Sequence, residues 1–282
     1  MNFLQSVTLG IVQGLTEFLP ISSTAHLKIV PALLGWRDPG APATAVIQLG
    51  TAAAVIAYFA RDLWGMTKAL LASLRPGADR SSVESRMAIG VVLGTIPIIV
   101  VALLLKDFIE TTFRDTRVIG VTLIAMAVVL YVADRFVPKH RSLEDIKIKD
   151  GLLVGAMQAL ALVPGASRSG STMAGAFMTG LNREAAARFS FLLSVPAIVL
   201  AGLYQMKAFV QPEPLPIGAP AIMEWTPSHL IVATVVSGVI GYASIAFLMR
   251  FLRTHSTTVF VVYRILLGIL LLLLVASGRL PA

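Results

Sequence analysis

Six apolar runs, each bounded by charged or polar residues, constrain the fold of this chain more than any other feature. A helix needs about 20 mainly apolar residues to cross a bilayer, and each run approaches that length. Hydrophobic residues make up 56% of the 282 residues and charged residues only 13%, whereas about 25% are charged in a typical soluble domain. We therefore predict an all-α integral membrane protein with a single membrane domain over 1–282. Spanning helices are expected at 44–60, 87–105, 118–133, 189–206, 229–249 and 257–276.

Two further apolar regions, 3–35 and 151–180, are interrupted near their middles by the polar segments FLPISSTAH and VPGASRSGST. Each half is too short to cross a bilayer alone. Non-helical backbone at membrane depth is tolerated where protein buries it or where it lines a wet cavity. We expect two re-entrant helix–loop–helix hairpins, with two full crossings in each region as the alternative.

The two interrupted regions resemble each other, which indicates an internal duplication. Gln13 aligns with Gln158 and, after a one-residue gap, Pro20 aligns with Pro164. Each region precedes three spanning segments, so the chain divides into repeats of approximately 1–140 and 150–282. An odd number of crossings inverts the second repeat relative to the first. The polar tips of the two hairpins are then expected to meet near the middle of the membrane.

The net charge of +8 would suggest nucleic-acid binding in a soluble protein. In a membrane protein the basic residues first indicate which side of the membrane each loop occupies. No nucleic-acid partner is expected. Seven bases fall on one side of the predicted membrane and fourteen on the other. The positive-inside rule places the larger group in the cytoplasm and the N-terminus outside. The stretch 62–75, with Trp64 and Leu71, also fits an amphipathic helix lying on anionic lipid. The larger group comprises ten bases within 61–86 and 134–150, with Arg183, Arg188, Arg250 and Arg253.

The first polar segment carries the one acid that lies within an apolar stretch, Glu17; the other fourteen lie in loops or connectors, where solvation is expected. A charge at bilayer depth is costly, so such a residue usually pairs, binds an ion or lines a pathway. Gln13 and Glu17 share a helical face because they are four residues apart. Ser23 and His26 follow Pro20 at a spacing that suits a nucleophile with an acid or base partner. Cysteine is absent from the sequence, which excludes thiol nucleophiles and Cys-ligated metals.

The second polar segment, 164–172, has a composition suited to holding an anion. Gly165 and Gly170 permit close backbone approach, and the helix that follows would aim free N–H groups at a bound group. Arg168 offers a planar fork for phosphate oxygens, and Thr172 shares its helical face. The combined inventory of the two tips fits phosphoryl transfer. Arg264, in the last spanning segment, is expected to snorkel to the membrane surface as a structural residue.

These two segments together resemble the signatures of the bacterial undecaprenyl pyrophosphate phosphatase family, also called BacA or UppP. The first signature, (E/Q)-x-x-x-E followed by Ser and His, is matched by Gln13, Glu17, Ser23 and His26. Many members carry Glu where this chain has Gln13, so one carboxylate remains instead of two. The second signature, P-G-x-S-R-S-x-x-T, is matched by Pro164, Gly165, Ser167, Arg168, Ser169 and Thr172.

The resemblance implies hydrolysis of undecaprenyl pyrophosphate to the monophosphate in the bacterial inner membrane. This reaction recycles the lipid carrier of peptidoglycan and envelope-polymer synthesis and is linked to bacitracin resistance. The prenyl tail of the substrate would stay among the apolar helices and membrane lipids while its head reaches the polar tips. The family's role at the outer leaflet favours a site that opens to the periplasm. The oligomeric state stays open, with a homodimer among the alternatives.

The mechanistic hypothesis assigns catalysis to Ser23, His26, Glu17 and Arg168. Ser23 would attack the terminal phosphorus with His26 handling the proton, while His26 itself or an activated water are alternative nucleophiles. Glu17 would orient His26 or help bind a divalent cation, Mg²⁺ or Ca²⁺, that bridges the diphosphate. A transporter or flippase of an anionic lipid is the alternative function, because broken helices in inverted repeats are typical of transporters. The expected substrate contacts are Gln13, Gly165, Ser167, Ser169 and Thr172.

Overall fold

The computed structural model describes residues 1–105, 115–210 and 223–280, and over these ranges the protein is helical without a β-strand. Short 3₁₀ turns at Leu143–Asp145 and Leu160–Leu162 connect some of the α-helices. The α-helices, numbered in chain order, are α1 (Phe3–Phe18), α2 (Ser23–Leu33), α3 (Ala41–Tyr58), α4 (Ala60–Ser73), α5 (Val83–Leu104), α6 (Thr116–Phe136), α7 (Ile148–Ala159), α8 (Arg168–Met178), α9 (Arg183–Val210), α10 (Pro227–Phe251) and α11 (Thr258–Ala276).

Six of these helices, α3, α5, α6, α9, α10 and α11, are long and apolar enough to cross a membrane. They coincide with the six predicted segments, so the expectation of a helical membrane protein is confirmed. Several begin earlier than the apolar runs because a polar first turn continues the helix. Helix α9, for example, starts at Arg183 and carries Glu184 in its first turn, where a carboxylate is stabilised by the helix dipole.

The interrupted regions form the pairs of short helices α1–α2 and α7–α8. Ser22 caps α2 and accepts a hydrogen bond from the Ala25 amide at 3.4 Å, while Ser167 caps α8 and accepts from the Gly170 amide at 3.2 Å. Both serines adopt left-handed backbone, with φ of 74° and 66°. Their separation in sequence equals that of Gln13 and Gln158, so the predicted one-residue gap is not needed to align the two helix starts.

The short first helix of each pair packs along a spanning helix of the other half of the chain. Helix α1 lies along α10 and α7 lies along α5. The α5–α7 contact is close because glycines face each other: a Cβ added at Gly155 would lie 2.1 Å from the Gly94 carbonyl oxygen. Any larger residue at this point would separate the helices, and with them the loop that precedes α8.

Buried ion pairs tie together the loops at the end of the bundle where most bases lie. Asp134 accepts hydrogen bonds from Arg183 Nε at 2.8 Å and from Thr257 Oγ1 at 2.7 Å. Asp150 accepts from Arg141 Nη2 at 2.5 Å. Both aspartates are only 4% exposed, so the expectation that every acid other than Glu17 is solvated is wrong. Hydropathy missed them because each lies at a helix end, where its partners come from other segments.

Candidate active site

Glu17 is the centre of a polar cluster enclosed by apolar helices. Its Oε2 atom accepts hydrogen bonds from Ser23 Oγ at 2.7 Å and from Gln13 Nε2 at 2.9 Å. Its Oε1 atom accepts from Gln48 Nε2 at 2.8 Å and also forms an ion pair with the Arg168 guanidinium. The Glu17 side chain is 3% exposed. A carboxylate taken out of water in this way is stabilised by the donors around it.

These hydrogen-bond donors come from four helices. In two of the helices the donor lies at the N-terminus. Gln13 and Glu17 lie one turn apart on α1, and Gln48 comes from α3. Ser23 and Arg168 are the first residues of α2 and α8. The N-terminus of a helix carries partial positive charge and free amides. Both helix starts therefore present positive potential beside Glu17, which suits an anionic ligand.

The loop before α8 is held against the loop before α2 by a direct contact. Ser169 Oγ donates to the Leu19 carbonyl oxygen at 3.0 Å and lies 3.1 Å from Ser167 Oγ. The two polar tips that the sequence predicts to meet therefore do meet. Arg168, Ser23 and Gln48 are only partly buried, so these are the accessible members of the cluster.

The other residues of the second tip that were predicted to contact substrate already contact other parts of the protein. Thr172 is fully buried and its hydroxyl donates to the Arg168 carbonyl at 2.8 Å. Gly165 has a φ of 93°, and an added Cβ would lie 2.6 Å from the Ile119 carbonyl oxygen. Gly170 makes room for the Arg264 guanidinium in the same way. These residues shape the loop, and the described geometry does not place them at an open surface.

Arg264 joins the two tips, and the expectation that it snorkels to the membrane surface is wrong. The residue is 0% exposed. Its Nη2 atom donates to the carbonyls of Gly165 at 3.0 Å and Ala166 at 2.9 Å, and its Nη1 atom donates to the Pro20 carbonyl at 3.4 Å. Backbone carbonyls left free by the two loops are thus satisfied by one buried guanidinium, as buried polar groups require.

His26 lies on α2 one turn after Ser23, but its hydrogen bonds lead away from the Glu17 cluster. Its Nδ1 atom lies 2.7 Å from the Ser22 carbonyl oxygen and its Nε2 atom 2.6 Å from the Tyr263 hydroxyl. The two rings are stacked, with centroids 5.6 Å apart and an interplanar angle of 6°. The Ser23 hydroxyl donates to Glu17 instead. The hypothesis that Glu17 orients His26 therefore does not match this arrangement.

Three residues of the site escaped sequence reasoning: Gln48, Tyr263 and Arg264. Arg264 carried the same signal as Glu17, an ionisable residue inside an apolar stretch. Polar residues such as Gln48 and Tyr263 are ordinary within apolar helices, so only their partners distinguish them. In the part of the chain that the structure describes, no group of three or more His, Asp or Glu residues is placed to hold a metal. Glu17 is the single carboxylate of the cluster.

The fold and the site define a class of protein: a multi-helix membrane protein with a buried carboxylate–hydroxyl–guanidinium cluster at two facing loops. The chain belongs to the family of the bacitracin resistance protein BacA, whose family model matches residues 6–270. The matched range covers both loops, five of the six long apolar helices in full, and α11 as far as residue 270.

Relatives with a named activity are similar to the chain over its whole length. It is 50% identical to the undecaprenyl-diphosphatase of Chloroherpeton thalassium over 100% of both chains. It is also 50% identical to the undecaprenyl-diphosphatase of Myxococcus xanthus, covering 99% of this chain and 91% of that protein. The undecaprenyl-diphosphatase of a Nocardioides species is 46% identical over 100% of both.

Proposed function

We propose that this protein is an undecaprenyl-diphosphate phosphatase, which releases phosphate from undecaprenyl pyrophosphate and returns the monophosphate carrier for peptidoglycan and envelope-polymer synthesis. Full-length similarity to undecaprenyl-diphosphatases of three bacteria supports this. Within the structure, the proposal rests on the Glu17 cluster, where a hydroxyl, its proton acceptor and a guanidinium lie together. The family's name links the same activity to bacitracin resistance.

In the proposed reaction, Ser23 Oγ attacks the terminal phosphorus while Glu17 takes its proton. The 2.7 Å hydrogen bond between these groups is already the geometry of that transfer. The bond from phosphorus to the bridging oxygen breaks, and undecaprenyl monophosphate leaves as an anion. Water then attacks the phosphoserine phosphorus, the bond from phosphorus to Ser23 Oγ breaks, and Glu17 returns its proton to Ser23. Both protons of the water leave with the phosphate as dihydrogen phosphate. This assignment moves the role of base from His26 to Glu17, because His26 is bound to Ser22 and Tyr263.

Arg168 is proposed to hold the phosphoryl oxygens. The Arg168 guanidinium is paired with Glu17, and a bound diphosphate would compete for it. The amides of Arg168 and Ser169, in the first turn of α8, have no carbonyl within the helix to bond. They are proposed to stabilise the negative charge that develops on the phosphoryl oxygens. Releasing Glu17 from Arg168 as substrate binds would also make the carboxylate a stronger base.

A divalent cation, Mg²⁺ or Ca²⁺, is proposed to bind with the substrate. The residues fit such an ion through one carboxylate contact only, from Glu17, and its other ligands would be diphosphate oxygens and water. Mg²⁺ is commonly held in this way, by one or two carboxylates and the substrate phosphates. When bound, the ion would neutralise charge on the diphosphate.

The repeat architecture and orientation belong to the same proposal. Two inverted repeats are supported by the corresponding caps at Ser22 and Ser167 and by the reciprocal packing of α1 on α10 and α7 on α5. The short helix pairs are proposed as re-entrant hairpins, since helices of 16, 11, 12 and 11 residues are each too short to span. The bias of basic residues supports an active site opening to the periplasmic side of the inner membrane. A homodimer is compatible with this arrangement.

Phosphate release from a C55 prenyl pyrophosphate by purified protein tests the proposal. We expect turnover by the native chain and a loss of at least 100-fold in Ser23→Ala and Arg168→Ala variants. Ser244→Ala is the matched control, because its hydroxyl bonds only within α10, to the Ile240 carbonyl at 2.9 Å. Near-normal rates in both site variants would contradict the scheme. Lipid transfer across sealed vesicles by the Ser23→Ala variant, without hydrolysis, would instead support the transporter alternative.

A further inference from the structure

Helix α4 (Ala60–Ser73) is too short to span and lies at the level where α5 and α9 begin. Asp62 accepts two hydrogen bonds from Arg188 in the second turn of α9, at 2.5 and 3.2 Å. Gly65 faces Glu84 in the first turn of α5. Met66 packs in the main core with Met87. Since α5 and α9 are long and apolar enough to cross a membrane, α4 would lie at the membrane surface on the side where most bases lie.

One face of α4 has no protein partner in the described structure and exposes large apolar side chains. Trp64 is 65%, Leu71 is 62% and Leu74 is 73% exposed. The opposite face is buried at Met66 and Ser73. In water such a face would be costly, because exposed apolar groups of this size order the surrounding solvent.

Basic and apolar residues occupy different sides of this exposed face. At about 100° per residue, Lys68 and Arg61 lie roughly 40° and 60° to one side of Trp64, whereas Leu71 and Leu74 lie roughly 20° and 80° to the other. The Lys68 ammonium lies 5.8 Å from the centre of the Trp64 ring, which places the aromatic residue at the boundary between the two sides.

The apolar side continues into the residues by which α4 joins the bundle. Leu63 and Leu70 follow Leu74 around the helix and pack against the main core. The apolar side is therefore continuous with the apolar residues of the bundle, and the basic side lies away from them. An amphipathic helix at a membrane surface has this arrangement, with apolar residues in the acyl region, Trp at the boundary and bases at the phosphates.

The charge on the exposed face of α4 indicates the chemistry of its ligand. Asp62, the acid in the first turn of α4, is already paired with Arg188. The exposed side chains of Arg61, Lys68 and Arg75 therefore leave α4 and its C-terminal end positively charged. We propose that α4 is a docking surface for anionic phospholipid head groups, which it selects over zwitterionic ones. This surface is separate from the Glu17 cluster, and it does not depend on the proposed phosphatase activity.

Lipid-specific quenching of Trp64 tests the proposal in full-length protein reconstituted into vesicles. Two vesicle preparations contain the same proportions of phosphatidylglycerol and phosphatidylcholine. They differ only in which of the two lipids carries bromine on its acyl chains. The signal of Trp64 is the difference between the native protein and a Trp64→Phe variant, because Trp36 and Trp225 are common to both. We expect brominated phosphatidylglycerol to quench Trp64 more strongly than its mole fraction predicts.

The charge variants decide whether α4 causes the preference. Each base near an anionic surface contributes about fivefold to attraction, so an Arg61→Gln, Arg75→Gln double variant should lower the phosphatidylglycerol preference by at least fivefold. Lys68 is kept because it contacts Trp64. Arg250→Gln, an exposed base on the same side at the end of α10, should leave the preference unchanged. Random mixing in the native protein, an unchanged preference in the double variant, an equal loss in the Arg250 control, or no quenching in either mixture would overturn the proposal.

Discussion

Replacing Arg264 with methionine should disable the site without touching any group that is proposed to contact substrate. Methionine is apolar and close in length, so the change removes the donors while limiting the cavity. It leaves the carbonyls of Gly165 and Ala166 without the hydrogen bonds of 3.0 and 2.9 Å that Arg264 provides, and it removes the weaker bond to Pro20. The two loops then lose the link that joins them.

The size of the effect follows from these bonds. A buried carbonyl left without a partner costs about 1–3 kcal/mol. The Gly165 carbonyl loses its partner, whereas the Ala166 carbonyl keeps a long hydrogen bond of 3.5 Å from Ser171 Oγ. The two losses together therefore cost about 2–4 kcal/mol. Part of this is offset because the guanidinium, whose burial is itself unfavourable, has been removed. We expect a net loss of about 2 kcal/mol in the free energy of unfolding. A shift of about 1 Å between catalytic groups lowers rates by about 100-fold, and activity should fall by that order.

Two measurements on the Arg264→Met variant check this reasoning. Unfolding in mixed micelles of denaturing and mild detergent gives the loss of stability, and phosphate release gives the loss of rate. Arg250→Met is the matched control, because Arg250 is exposed near the end of α10 and should tolerate the change. If Arg264→Met keeps native stability and native turnover, Arg264 does not join the two loops in the way described.

The remaining predictions concern the base, the loop and the histidine. Glu17→Gln should lower phosphate release by about 100- to 10,000-fold through loss of the proton acceptor, with stability monitored by thermal melting; a rate within tenfold of native would exclude this role. Gly165→Ala should destabilise the fold by about 1–3 kcal/mol in the same melting assay, because strain at φ 93° adds to a contact with Ile119. Gly278→Ala, with a φ of 70° and open space, should lose less, and equal losses would argue against the contact. Tyr263→Phe should lower the rate in the native background but not further in His26→Ala, and additive losses in this double-mutant cycle would show that the pair is not coupled.

The long apolar helices and the polar character of the two loops were predictable because they depend on local composition. An apolar run is transferred out of water whichever residues it later contacts, so hydropathy located the ends of α10 and α11 to within two residues. Glu17 and Arg168 stood out for the same reason, as charges placed where charge is costly. The helix ends were less accurate, since the polar first turns of α9 and α5 belong to helices that hydropathy does not extend.

The partners within the site were not predictable in this way. A spacing of three residues suggested that Ser23 and His26 act together, yet each turns to a different neighbour, Glu17 in one case and Tyr263 in the other. Arg264 obeyed the rule that identified Glu17, but its distance from the membrane surface along the helix suggested snorkelling. Recognising the role of Arg264 required knowing which side of α11 faces the loops.

The sequence by itself determined that this chain is a helical membrane protein, where its six long helices lie, and which polar residues interrupt the apolar regions. The tertiary structure decided which of these residues form one site: Glu17 meets Arg168 across 151 residues of sequence, and Arg264 meets Pro20 across 244. The physical reason is that transfer out of water depends on each segment's own composition, whereas a hydrogen bond depends on distance and direction to within a few tenths of an ångström. Those are set only when helices from both halves of the chain pack together.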